Sequence, residues 1–379
     1  MHFDLSEEHQ AVRDSAREFA RTELLASVIE RDEHQKFAYE QVKKMGELGF
    51  MGMMVSPQYG GSGMDTISYV LAMEEIAKID ASVAVCMSVN NSLVCWGLEH
   101  FGNEAQKQKY LVPLASGQKI GAFCLSEPEA GSDATSQKTT AVDCGDYYLL
   151  NGTKNWITNG NSASIYIVIA QTNPSLGHKG ISAFIVERDF PGFVVGNKEN
   201  KLGIRGSDTH SLMFTDVKVP KENRIGDEGF GFKLAMATLN GGRIGIASQA
   251  LGIASGAYEL ALKYSKERKT FDKPISQHQA IQFKLADMAT QIDAARLMCL
   301  KAAYLKDKHE DYAMASAMAK LYASKIAMEI TTEAIQIHGG YGYVKEFHVE
   351  RLFRDAKITQ IYEGTSEIQK IVISREILK

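Results

Sequence analysis

The residues best suited to chemistry lie near the C-terminus, in Tyr362-Glu363-Gly364-Thr365-Ser366. A carboxylate stands there in a short Gly/Ser/Thr break between two helical segments. Two rigid elements can aim it into a cavity, and Gly364 lets backbone come close to a ligand. That geometry suits a general base, although a loop glutamate is ordinarily a solvated charge. Just upstream, Gln336-Ile337-His338-Gly339-Gly340-Tyr341-Gly342 permits close passage of the chain. Its spacing is not GxGxxG and no strand precedes it, so a nicotinamide-type Rossmann site is not indicated. Glu350-Arg351 and Arg354-Asp355 add paired charges.

Three other segments carry suitable side chains. Cys124-Leu125-Ser126-Glu127-Pro128-Glu129-Ala130-Gly131-Ser132-Asp133 offers hydroxyls and free backbone N–H groups. It can line a polar ring or a phosphate, and taken alone it more readily reads as a capped turn. Trp156-Ile157-Thr158 pairs a flat aromatic with a hydroxyl at a strand end, where a Trp is more often a core or interface anchor than a cofactor contact. In Glu267-Arg268-Lys269-Thr270-Phe271, Arg268 can grip a pyrophosphate bidentately or satisfy helix C-terminal carbonyls. Gln277-His278-Gln279 then opens the next helix.

These pieces need elements to hold them. Five of seven prolines fall between Pro113 and Pro220, and only Pro274 follows, so the last third can hold long helices. Gly231 to Lys266, Gln279 to Asp307 and Ala313 to His338 have helical character. In the first 110 or so residues, Ser6 can cap a helix with Glu7 and Glu8 in its first turn and Val12, Ala16 and Phe19 on one face. A second helix is expected over Thr66 to Ile79. Between the helical blocks the period changes. Tyr147 to Leu150, Asn151-Gly152 and Lys154 to Thr158 read as a hairpin, and Ile165 to Ala170, Ile181 to Val186 and Leu212 to Val219 read as strands.

The chain has 379 residues, 45% of them hydrophobic, which implies two or three packed units. Forty-two Lys and Arg against 46 Asp and Glu, with no basic stripe, argue against nucleic acid as a partner. Cys86, Cys95, Cys124, Cys144 and Cys299 show neither disulfide nor zinc spacing, which fits a reducing compartment and no metal. The N-terminus lacks a signal-peptide pattern, and no uninterrupted run of about 18 apolar residues occurs, which argues against secretion and a membrane span.

Taken in order, the helical block, SEPxAGSD, Trp-Ile-Thr, RKTF, QxHGGYGY, RxxRD and YEGTSE resemble the acyl-CoA dehydrogenase family from the first helix to Leu378. Cys124 to Asp133 and Gln336 to Asp355 match family signatures almost residue for residue. Ser88 to Leu93, Lys201 to Gly206 and Gly242 to Gly252 look like its short-chain, butyryl-CoA branch. The resemblance implies an α+β fold: an N-terminal helical domain over 1–119, a middle β barrel or sandwich over 120–228, and a C-terminal four-helix bundle over 229–379. It implies dehydrogenation of a short-chain acyl-CoA to its trans-2-enoyl-CoA, with Glu363 taking the Cα proton and N5 of FAD the Cβ hydride. Such a base needs a desolvated pocket and a raised pKa, and the enolate oxygen needs fixed donors; in the family these are the N–H of the base itself and a ribityl hydroxyl. Some relatives carry the base at the position of Gly242, which cannot act here.

By the same mapping, Phe123, Cys124, Leu125, Ser126, Gly131 and Ser132 resemble flavin contacts, as do Trp156, Ile157 and Thr158. So do Arg268, Thr270, Phe271, His278 and Gln279, then Gln336, Ile337, His338, Gly339 and Gly340, and finally Thr365, Ser366 and Glu367. Ser132, Asn240, Gly241, Gly242, Arg243 and Gly364 resemble CoA or acyl contacts. Arg268 and Gln336 to Gly340 are expected to reach the FAD of a neighbouring subunit within a homotetramer built as a dimer of dimers. The expected acceptor is an electron-transferring flavoprotein, with Trp156 near the exposed side of the ring. The departures are Glu129, where Gly or Asn is usual, and His338, where an apolar residue is common. Methyl-branched or glutaryl substrates form the alternative reading, and a non-catalytic binding relative the remote one. A cytoplasmic location is expected, or the mitochondrial matrix for a processed chain.

Overall fold

The computed structural model describes residues 4–379; residues 1–3, with which the expected first domain begins, lie outside the described residues. The Ser6 side chain accepts the His9 N–H and opens the helix Glu7–Phe19, whose buried face is Val12, Ala16 and Phe19. Asp65 caps Thr66–Ile79 and Asp80 caps Ala81–Ser88. Helical backbone then continues to Phe101. Ala81–Phe101 is long and apolar enough, by composition, to cross a membrane, although Asn90, Asn91 and Ser92 interrupt its apolar run; its apolar window is 94% buried inside the protein, as a core helix.

Eight strands follow: β1 (Gly121–Cys124), β2 (Thr140–Asp143), β3 (Tyr147–Thr158), β4 (Ile165–Gln171), β5 (Ile181–Glu187), β6 (Phe193–Lys198), β7 (Thr209–Pro220) and β8 (Arg224–Ile225). They form one sheet in the order β6-β7-β3-β2-β4-β5-β8, with β1 parallel to β4. Alternate residues of β4 serve two cores. Tyr166, Val168 and Ala170 pack with Tyr148, Leu150, Leu212 and Phe214 inside the curl of the sheet, while Ile165, Ile167 and Ile169 pack against helices. Burial on both faces explains the near-continuous apolar run of β4 and β5.

The expected hairpin at Asn151-Gly152 is not formed. Tyr147–Thr158 is one strand, and Asn151-Gly152 is a bulge in its pairing with β7. Asn151 donates to Asp216 Oδ1 at 3.0 Å and accepts the Asp216 N–H at 2.8 Å. Gly152, at φ +147°, is glycine because a β-carbon there would lie 2.7 Å from Thr139 Cα.

The C-terminal block is helical as expected, with five helices among the described residues. Three are long, Gly231–Glu267, Gln279–Asp307 and Ala313–His338, and two short, His348–Ile358 and Ser366–Ile377. Gly252 and Gly256 let Thr66–Ile79 approach the first of them closely: a β-carbon at either would meet a carbonyl oxygen at 2.5 Å. The paired charges are anchors. Arg351 bonds Asp355 at 2.9 Å and the Ile79 carbonyl at 2.8 Å, and Arg354 bonds Glu350 and Asp32. Asp355 also accepts the Ile204 N–H. The short helix that delivers Glu363 is thereby tied to both other blocks.

Candidate active site

The helix His348–Ile358 ends at Thr359, and Thr365 caps the next by accepting the Ile368 N–H. In the break between them Glu363 takes φ +51° and Gly364 φ +92°. A non-glycine residue in this region is strained by about 1 kcal/mol or more, so the turn needs external support. Lys320, fully buried in Ala313–His338, donates to the Gly364 carbonyl, which also accepts from Gln369 Nε2 at 2.8 Å. On the other side the Tyr362 hydroxyl donates to Gln249, whose amide donates to the Ala81 carbonyl at 2.7 Å.

The turn points the Glu363 carboxylate at the helix Gly231–Glu267. Glu363 keeps some exposed surface, but its Oε2 is closed off from solvent and has no hydrogen-bond partner among the described residues. A β-carbon on Gly242 would collide with that oxygen and lie 2.8 Å from Leu93 Cδ2. Burial pushes the Glu363 carboxyl up to about 7, against the pull of Lys320 and Arg243. Arg243 is buried, with Nη1 on Asn240 Oδ1 at 2.7 Å and Nε unpaired among the described residues. The structure thus gathers Glu363, Gly364, Asn240, Gly242 and Arg243. Gly241 is buried and faces Lys306, with Nζ 3.7 Å from where a β-carbon would stand.

A second group lines a separate cleft of about 500 Å³ that does not include Glu363: Arg268, Thr270, Ile337, His338, Gly339 and Gly340, with Tyr264, Ile275, Tyr341 and Val344. The Arg268 guanidinium lies 5.7 Å over the Tyr341 ring and bonds no carbonyl among the described residues, so it does not cap its helix. Thr270 Oγ1 meets His278 Nε2 at 3.2 Å, Gln279 begins the next helix, and Phe271 is 90% exposed. Gln336 is exposed at the rim of this region. His338 replaces the usual apolar residue by stacking on Tyr264 at 4.3 Å; burial lowers its pKa, which keeps the ring neutral.

The third group is the turn after β1. Phe123 and Cys124 are buried, Leu125 and Ser126 half-buried, and Gly131 and Ser132 exposed. Its anchor is Lys154, at 0% exposure, which bonds the Leu125 carbonyl at 2.9 Å, Glu127 at 2.8 Å and Gln137 at 3.0 Å. Glu127 also accepts the N–H groups of Lys138 and Thr139. Burial brings Lys154 down to about 8, whereas its attraction and the backbone donors outweigh burial and hold Glu127 below the usual carboxylate range. Glu129 pairs with Lys138 at the surface, which accounts for its departure from the usual residue. Trp156, at φ +61° and 61% exposed, is no core anchor; Ile157 is buried beside it and Thr158 half-buried. Thr365 and Ser366 are half-buried and Glu367 exposed.

Two features fit a bulky flavin dinucleotide. β-Carbons at Gly131, Gly339 and Gly340 would meet nothing within 4 Å, so the backbone is bare there, and Arg268 stands in the adjoining cleft free for an anionic group. Sequence reasoning missed Lys320, Gln249, Gln369 and the anchoring pair Lys154–Glu127. Lys320 had a legible signal: a cation in register with the small, buried positions Ala317, Ser324 and Ala327 of its helix.

Three family models match the chain in succession: the acyl-CoA dehydrogenase N-terminal domain over residues 6–118, the middle domain over 122–217 and the C-terminal domain over 229–378. The chain is 51% identical over 379 residues to a short-chain specific acyl-CoA dehydrogenase of Clostridium acetobutylicum, covering 100% of both. It is 51% identical over 376 residues to the mitochondrial short-chain specific acyl-CoA dehydrogenase of Bos taurus, covering 99% of this chain and 91% of that protein. Among solved structures, butyryl-CoA dehydrogenase from Megasphaera elsdenii superposes with a TM-score of 0.99 at 50% identity over 100% of both chains. A chain from work on the electron transferring flavoprotein of Acidaminococcus fermentans and flavin-based electron bifurcation also superposes at 0.99, with 52% identity and full coverage of both.

Proposed function

This chain belongs to the acyl-CoA dehydrogenase family, and on that premise we propose that Glu363 is the base with which it oxidises short-chain acyl-CoA thioesters to their trans-2-enoyl thioesters. The observation that carries the assignment is the unpartnered, solvent-free Oε2 of Glu363 beside Gly242. A thioester α-proton is weakly acidic, so the base must be stripped of water and close to neutral pKa to compete for it. Burial does both. The Cα proton moves to the Glu363 carboxylate; bound FAD would supply the acceptor for the hydride that leaves Cβ. The Glu363 N–H donates to no group among the described residues, which leaves it for the thioester oxygen as negative charge grows there. Asn240, Gly242, Arg243 and Gly364 form the wall against which the thioester is held.

For FAD, the turn Phe123–Ser132 and Trp156–Thr158 serve one end of the group, with Thr365, Ser366 and Glu367 beside the base. Arg268, Thr270, Phe271, His278, Gln279 and Gln336–Gly340 serve a second molecule of FAD, bound by a neighbouring subunit. The separation of the Arg268 cleft from Glu363 within one chain supports this, as do the exposed Phe271 and Tyr343. The assembly is a homotetramer, and an electron-transferring flavoprotein takes the electrons, a reading supported by the match to the Acidaminococcus fermentans chain. The division at 119/120 and 228/229 belongs to the same reading, since both cuts fall between regular elements. With relatives in bacteria and in mitochondria, a cytoplasmic location remains the proposal for this chain.

Mixing the purified flavoprotein with butyryl-CoA is expected to bleach its visible flavin band. Glu363→Gln is expected to bind the ligand without bleaching, and an unchanged rate in that variant overturns the assignment.

A further inference from the structure

Lys320 is fully buried, yet no carboxylate lies in salt-bridge range of its ammonium among the described residues. Its hydrogen bond goes to the Gly364 carbonyl. A buried cation is tolerated only where something compensates it, and one neutral carbonyl is poor compensation. Burial lowers Lys320 to about 8, against the attraction of Glu363, one residue before that carbonyl, and of Glu367. Gln369 Nε2 supplies the carbonyl's second donor at 2.8 Å and lies 3.4 Å from the Glu363 carbonyl oxygen. Two donors on different helices therefore converge on the strained pair Glu363-Gly364.

We propose that Lys320 is a positioning residue for proton abstraction: bonded to the Gly364 carbonyl, it holds the turn that aims the Glu363 carboxylate and sets a positive charge beside it before a thioester arrives. The proposal rests on Glu363 being the base. The charged and titratable groups around the pair are few. Arg243 faces Glu363 from Gly231–Glu267, with Tyr312 beside it; Tyr69 faces it from Thr66–Ile79; Tyr362 belongs to the turn; and Glu367 acts on Lys320 from the last helix. Among the described residues, Arg243 is the only other cation that draws Glu363 down. Its remaining bond goes to Asn240, so it neither touches the turn nor fixes its backbone. Lys320 alone couples the backbone of the turn to the charge of the base.

The test compares wild type, Lys320→Met and Lys320→Arg as FAD-loaded enzymes, following flavin bleaching by butyryl-CoA from pH 5.5 to 9. In Lys320→Met the acidic limb of the rate is expected to move upward by about one pH unit, a loss of roughly tenfold below the limb that recovers at high pH. The infrared band of the protonated carboxyl, assigned by its loss in Glu363→Gln, should persist to correspondingly higher pH without substrate. Lys320→Arg keeps the charge and should keep the limb while lowering the rate through altered geometry. A limb and a carboxyl band unmoved in Lys320→Met overturn the proposal. If that variant yields no soluble holoenzyme, Lys320→Arg decides: a limb that shifts although the charge is retained overturns it, and an unshifted limb with a reduced rate supports it. Failure of wild type to bleach, or an unchanged rate in Glu363→Gln, would instead refute the reading of the site on which the proposal rests, whatever Lys320 does.

Discussion

The carboxylate of Glu363 occupies the space that a side chain on Gly242 would fill. A residue from the C-terminal turn and a residue in the middle of Gly231–Glu267 thus compete for one volume, and only one of the two can carry an acid there. That exclusion fits the proposal that this chain, with glycine at 242, takes its base from 363.

Gly242→Ala is the smallest change that reopens the competition. Its β-carbon collides with Oε2 and presses on Leu93, so the carboxylate must swing away from the thioester. Displacement of a reacting group by about 1 Å can cost on the order of 10²-fold in rate. Stopped-flow flavin reduction with butyryl-CoA is expected to show a loss of that size, with the flavin spectrum and the melting temperature nearly unchanged.

The raised carboxyl of Glu363 makes two pH predictions of opposite sense. The base works only when ionised, so kcat/KM should climb as pH rises through about 7. Stability should do the reverse. Between the ordinary value of 4.5 and about 7 the folded state holds a proton that the unfolded chain has released, so stability is full at low pH and declines as pH rises through this window. Ionised Glu363 then costs roughly 3 kcal/mol at pH 8. Glu363→Gln should be more stable than wild type at pH 8 and equal to it near pH 4.5, read by urea unfolding at each pH. Equal stability at both values would show that the carboxyl is not desolvated.

Much of this was legible in the sequence, and the failures have physical causes. Helix limits could be read closely: the expected Gln279 to Asp307 and Ala313 to His338 match the observed elements, although neither has a side-chain N-cap, and Gly339 at φ +60° closes the second. Asn151-Gly152 misled because the same dipeptide suits a two-residue turn and a bulge, and only the crowding of Gly152 against Thr139 distinguishes them. Glu363 was visible through the break around it. Of the supports of that break, Gln369 lies six residues on, in the next helix, but Lys320 and Gln249 lie on helices distant in sequence, and nothing local reveals that the three converge. The run Glu350 to Asp355 was noticed for its charge, but it anchors helices, since its charges are spent on one another and on Asp32.

Lys154 should matter to the flavin without touching it. It is wholly buried, and Lys154→Met strands Glu127 in the interior with the carbonyl of Leu125 unpaired. Removing one member of a buried pair costs about 3–5 kcal/mol, and the loosened turn carries Ser126, Gly131 and Ser132. Expected are a clear drop in melting temperature and faster release of FAD on dilution, followed by the recovery of flavin fluorescence. Lys154→Met with Glu127→Gln should regain part of the stability, because no unpaired charge remains.

Arg268 separates a site within one chain from a site shared between chains. Its guanidinium faces the cleft floored by Gly339 and Gly340, apart from Glu363. Losing a charge-assisted contact worth about 1.5–3 kcal/mol should weaken FAD retention roughly 10- to 100-fold in Arg268→Ala. The informative experiment mixes that variant with Glu363→Gln under conditions that exchange subunits. If Arg268 serves the neighbouring subunit's FAD, each hybrid dimer contains one site with both residues intact, and random pairing restores about a quarter of wild-type activity. If Arg268 and Glu363 act on the same chain's FAD, every site in the mixture lacks one of them, and steady-state turnover stays at the level of the weaker parents.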